Sequence, residues 1–149
     1  MSTLYIGSKL VTAKPMTRLD YNEYRGWELP DDEDGTDEGY LVEYLDGGKP
    51  NHPDHAGYIS WSPKEQFDNG YAAAGAVSSY PAHMQRIYAE KAQLIDRTEK
   101  LRNFLCTDTY HNMAKIDKQL LIAQLNVMES YRTVLEMRIQ QYADTQLNE

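Results

Sequence analysis

The sequence predicts an α+β fold: a small β-rich unit over residues 1–71, a linker over 72–80, and a long antiparallel helical hairpin over 81–149. Three observations predict it. Charge is segregated, with 6 Lys/Arg against 14 Asp/Glu in residues 1–71 and 9 of each in residues 72–149. Short alternating segments bounded by Gly and Pro fill the first half. A strict 4-3 apolar spacing runs from Leu121 to Tyr142 in the second half.

Taken in order, Leu4 to Ala13, with Gly7-Ser8 at its centre, reads as a tight β-hairpin. Thr17 reads as a helix N-cap with Asp20 three residues on, and Gly26 limits that helix to Arg25. The acidic stretch from Pro30 to Gly39 is too polar to bury. Gly39 to Leu45 alternates as a strand, Asp46-Gly47-Gly48 is a turn, and Asn51 to Gly57 is a loop containing Pro53 and two histidines. Tyr58 to Trp61 is a further strand. Ser62-Pro63 then opens a short helix closed at Gly70. Residues 72–80, AAAGAVSSY, are small and weakly patterned and read as the linker.

The first long helix is predicted from Pro81 to Leu105, with a stripe of Met84, Ile87, Tyr88, Lys91, Leu94, Ile95, Thr98, Leu101 and Leu105. The second runs from about Met113, its first turn broken, to Tyr142. Its stripe is Leu121, Leu125, Met128, Arg132, Leu135, Ile139 and Tyr142, a heptad seam. The short connection from Cys106 to Tyr110 makes the helices antiparallel neighbours. Two thin helices leave apolar surface uncovered, so self-association is expected.

The net charge of −8 argues against wrapping long nucleic acid, which needs a basic face. The single Cys106 leaves no internal disulfide and fits a reducing compartment. No apolar run approaches membrane-spanning length. A soluble, intracellular protein is expected.

Chemistry concentrates at the seam anomalies. Arg132, Lys91 and Thr98 interrupt apolar stripes. Either the cations snorkel to the stripe edge, or a cation at a subunit interface awaits an anion, for which the arginine fork suits phosphate. Arg102 and Phe104 near the hairpin tip would add a cation and a stacking face, although Phe104 also fits a core position. Arg25 beside Trp27 could clamp a purine, while most of the aromatic set (Tyr21, Tyr24, Trp27, Tyr40, Tyr44, Tyr58, Trp61) reads as core. A metal site at His52-Pro53-Asp54-His55 is set aside, because Pro53 prevents a helical presentation and no further ligand lies close. No Gly-rich phosphate loop and no activated nucleophile stands out. The expectation is a protein without catalytic residues, metal or cofactor.

The segments EKAQLIDRTEKLRNFL and LLIAQLNVMESYRTVLEMRI carry a Leu and Phe ending the first helix and Gln-Leu-x-x-Met-x-x-Tyr-x-x-x-Leu-x-x-Arg-Ile in the second. This pattern resembles the helical hairpin shared by phage anti-CBASS and Thoeris anti-defence proteins. With the RGWELP and GYISWSP blocks of the first half, the chain is similar to the first-described Thoeris anti-defence family over nearly its whole length. The resemblance implies a non-enzymatic, oligomeric sponge, often hexameric, acting in the cytoplasm of the infected host. Such a sponge sequesters cyclic ADP-ribose isomers on the Thoeris branch and cyclic di- or trinucleotides on the CBASS branch. The ligand-binding positions it implies are Arg25, Phe104 and Arg132, with Asn112 beside them; Trp27, Lys91, Thr98 and Arg102 join them on the reading of the residues themselves. A structural or regulatory phage protein whose hairpin only oligomerises, with Arg132 as a register device, is the competing reading. A messenger hydrolase built around His52 to His55 is the third.

Overall fold

The computed structural model describes all 149 residues, which divide into two compact units, Met1–Tyr71 and Ala72–Glu149. A small three-stranded antiparallel sheet in the first and long helices in the second give the α+β class that the sequence predicts.

In the first unit, β1 (Val11–Pro15), β2 (Gly39–Tyr44) and β3 (Ile59–Pro63) form a meander with β2 central. Val11 pairs with Tyr44 on one side, and Leu41 pairs with Trp61 on the other. The hairpin expected within Leu4–Ala13 does not form. Leu4, Tyr5 and Ile6 are exposed, and the strand starting at Val11 adds to the edge of β2 instead. A lone two-stranded hairpin is marginal in water, whereas a third strand on an apolar sheet is not.

Helix α1 (Arg18–Arg25) begins at Thr17, whose hydroxyl accepts from the Asp20 amide at 3.2 Å. It ends at Gly26, where φ is 72°, the left-handed conformation that glycine adopts without steric cost. The start and stop read from sequence are therefore those observed. Tyr21 of α1 packs with Leu41 and Ile59 as the core of this unit, with Met16, Tyr24 and Trp61 around it. The opposite sheet face meets α2 (Lys64–Gly70), where the Tyr40 and Phe67 rings lie 4.4 Å apart. Alternation along β2 sends Leu41 and Tyr40 to these two faces. The aromatic core is smaller than expected, because Trp27 and Tyr58 are about half exposed. Pro63 ends β3 and precedes α2 rather than opening it.

In the second unit, α3 (Ala82–Leu105) and α5 (Lys115–Leu147) pack antiparallel. Met84, Ile87 and Leu94 of α3 bury Leu135 of α5 completely, with Tyr88, Met128, Ile139 and Tyr142 flanking. Every residue of the heptad seam from Leu121 to Tyr142 is partly or fully buried. The seam read from sequence is the packed face of α5. The connection is longer than the expected Cys106–Tyr110. It holds one helical turn, α4 (Asp108–His111), capped by the Thr107 hydroxyl, which accepts from the Tyr110 amide at 3.2 Å. Before α3, Tyr80 closes the open end of the hairpin, its ring 5.6 Å from Tyr88 and 6.3 Å from Tyr142. No helix is long and apolar enough to cross a membrane.

Candidate functional site

The structure separates the sequence-derived site residues into groups. Arg132 and Lys91 converge on one carboxylate. Arg132 Nε donates to Glu136 Oε1 at 2.9 Å, and Lys91 Nζ lies 3.7 Å from the same oxygen. The Arg132 guanidinium holds the Glu136 carboxyl below the usual carboxylate range, and Lys91 adds to the effect. The anion these seam cations meet within the chain is thus Glu136. Thr98 is 1% exposed, and its hydroxyl donates to Leu94 O at 2.6 Å, so it serves the α3–α5 core. Lys91 also lines a cleft of about 430 Å³ with Tyr88, Ile95 and the Ala72–Ala74 segment. Asp96 and Glu99 stand on the same rim, which makes that cleft a poor anion trap.

At the hairpin tip the chemistry is different. Arg102 is paired with Glu129 across the helices. Phe104 meets the Tyr110 ring edge-on at 6.3 Å, and Tyr110 in turn lies 5.4 Å from the His111 ring. Asn112 caps α4 and is exposed. Beside them Tyr110, Lys115, Lys118, Gln119 and Ile122 line a notch of about 320 Å³. The Lys118 ammonium sits 6.0 Å from the Tyr110 ring centroid and donates to His111 O at 3.4 Å. Neither Lys115 nor Lys118 has a carboxylate partner, unlike Lys91, Lys100, Arg102 and Arg132 of the same unit. Two unneutralised ammonium groups beside an aromatic face and an amide suit a phosphorylated, ring-bearing ligand. Lys115, Lys118 and Tyr110 were not singled out from sequence. The helical turn of α4 folds Tyr110 back against the start of α5, and no periodicity in the chain announces that turn.

In the first unit, Arg25 stacks on Trp27 at 4.3 Å and donates to the Tyr21 hydroxyl at 3.2 Å. The cation and the indole already face each other, so a purine entering here must separate them.

The His52–His55 loop holds a relay that the sequence does not advertise. The Glu43 carboxylate of β2 accepts from His55 Nδ1–H, the arrangement that leaves Nε2 of the neutral imidazole as an acceptor. His55 Nε2 then accepts from the Tyr24 hydroxyl at 2.7 Å, and the Tyr24 ring stacks on His52 at 4.4 Å. Asp54, paired with these histidines in the sequence reading, only offers its amide to His52 Nδ1. Burial, then the charges of Asp54 and Glu43, push the Tyr24 phenol above its ordinary value. It therefore stays protonated at neutral pH and is a weak nucleophile. The chain Glu43–His55–Tyr24 ties the loop to α1 and β2. No cluster of three or more His, Cys, Asp or Glu side chains is arranged to hold a metal.

Residues 81–141, the hairpin from the start of α3 to near the end of the packed seam, match the family model described as Sequestin. The match takes in the tip notch and the Arg132–Glu136–Lys91 cluster and leaves the β-rich unit outside it. Neither the curated proteins nor the solved structures give a match to this chain.

Proposed function

We propose that this protein is a non-catalytic sponge for a cyclic nucleotide-type immune messenger. The carrying observation is the match of the helical hairpin to a family whose name denotes sequestration. In this reading the protein acts in the cytoplasm of an infected bacterial host and lowers free messenger below its effector's threshold without breaking it. Affinity and slow release then matter, and turnover does not. A cyclic ADP-ribose isomer is the first ligand to test, with cyclic di- and trinucleotides beside it. The working form is a homo-oligomer, and the Thoeris anti-defence resemblance makes six copies the expected number.

The tip notch is the best-suited anchor. A pyrophosphate spanning Lys115 and Lys118 gains two charge-assisted contacts, and an adenine ring has the Tyr110 face, with Phe104 behind it. A ligand placed at Arg132 would have to displace Glu136. Binding is tested by calorimetric titration of the full chain with cyclic ADP-ribose. The double variant Lys115→Gln/Lys118→Gln is expected to weaken it by about 10-fold or more, on the order of 1.4 kcal/mol. Equal affinity of wild type and double variant would remove the notch from the account and leave the sponge. No binding of any cyclic nucleotide would remove the sponge.

The second reading, a structural or regulatory phage protein whose hairpin only assembles, is favoured by one observation. Glu136 of the same chain already neutralises the seam cations, which leaves them no free charge for an anionic ligand.

A further inference from the structure

Helix α5 is apolar on two sides, and α3 covers only one. The other side presents Ile116, Leu120, Val127, Val134 and Met137, exposed at 60%, 59%, 68%, 50% and 65%. With Ala123 and Ser130 between them these positions repeat at 4-3-4-3-4-3, the same period as the packed seam. A polar helix back, the usual solvent face of a two-helix hairpin, is missing here.

We infer that this second seam pairs with the same seam of a second copy, with the two α5 helices antiparallel. Side-chain size and charge together select that arrangement. Antiparallel heptad seams pair in alternating layers, and one register sets Leu120 against Met137 of the partner subunit. The next layers then place Ala123 against the partner's Val134, and Ser130 against the partner's Val127. Each small residue meets a larger one, and by two-fold symmetry every layer occurs twice. Ile116 and Gln141 close the ends, giving an overlap of about 39 Å at 1.5 Å per residue.

The flanking charges agree with this register. Asp117 lies opposite the partner's Arg138, again twice, and neither residue has an ion-pair partner within the chain. The other flank sets Gln119 against Gln140 and Asn126 against Thr133, with no like charges. A parallel pair would stack Ala123 on Ala123 and Ser130 on Ser130, leaving gaps at both layers. It would also bring Asp117 near no cation. Flanking charges of this kind set orientation in paired helices. The inference stands on α5 alone and does not depend on which ligand the hairpin holds.

The test is sedimentation equilibrium of the full chain with three sets of variants. Wild type is expected to contain dimers or multiples of dimers. Val127→Glu/Val134→Glu should give monomers whose circular dichroism keeps the helical signal, because the α3-facing seam is untouched. Arg138→Asp sets a carboxylate opposite Asp117 and should weaken association several-fold, as should Asp117→Arg. Combining both, Asp117→Arg/Arg138→Asp, should restore it. A monomeric wild type, or association indifferent to Val127→Glu/Val134→Glu, would overturn the pairing. Failure of the charge swap to restore association would overturn the antiparallel register.

Discussion

Glu136 holds Arg132 and Lys91 at once, so protonating this one carboxylate removes two ion pairs of the helical unit. Its pKa in the folded chain is depressed, chiefly by the Arg132 hydrogen bond. The contribution to stability is therefore present above the ordinary glutamate pKa of about 4.3 and is lost as pH falls through the lower folded value. The group is partly solvated, so the effect is small and screened by salt. Thermal unfolding followed from neutral pH down to pH ~3 should show a shallower acid loss for Glu136→Gln than for wild type. Parallel curves would mean that the carboxylate contributes nothing. Close approach rather than charge governs Gly39. A Cβ there would sit 2.4 Å from Ser62 O and from the Trp61 ring, and the backbone oxygen cannot move without breaking β2–β3 pairing. Gly39→Ala should destabilise the β-rich unit by about 1–3 kcal/mol, read from denaturant midpoints. At this same scale the sequence was least informative. Glu43, His55 and Tyr24 come from three separate segments, and only the sheet register and the α1 docking bring them together. Arg132 and Lys91 were visible as breaks in apolar stripes, but their common partner was not, because Glu136 looks like an ordinary solvent-facing residue of α5.

Elements with strong local signals were legible. Thr17 and Gly26 bracket α1 through cap chemistry that operates within a few residues. Thr17→Ala should cost about 1 kcal/mol, measurable in the unfolding of the β-rich unit. The heptad seam of α5 was legible for a similar reason, since its period is written along one helix. Leu135 sits at its centre, fully buried against Met84, Ile87 and Leu94. Leu135→Ala should remove about 2–5 kcal/mol from the helical unit, seen as a lowered chemical-denaturation midpoint by circular dichroism. A smaller loss would mean that α3 and α5 close over the vacated space. The missing N-terminal hairpin and the added turn α4 were not legible in this way. Val11–Pro15 depends on the free edge of β2, far off in sequence, and α4 (Asp108–His111), though capped locally by Thr107, is a single turn too short to show an apolar period.

At the scale of the whole molecule, the acidic half and the charge-balanced half correspond to units with different physics. The sheet unit is held by a small aromatic core and polar ties, including Asn51, whose side chain clamps both Ile59 N and Ile59 O. The helical unit is held by one seam and exposes another. The Sequestin match falls on the helical unit, the unit in which we also propose the ligand chemistry and the self-pairing. Sequestration without turnover is tested by a capture-and-release experiment on the full chain. The protein is saturated with cyclic ADP-ribose, and separately with cyclic di- and trinucleotides, then washed and denatured by heat, and the released nucleotide is identified by mass. A sponge retains at least one of these through the wash and returns it intact. Return of linear or hydrolysed product, or retention of none, would contradict sequestration.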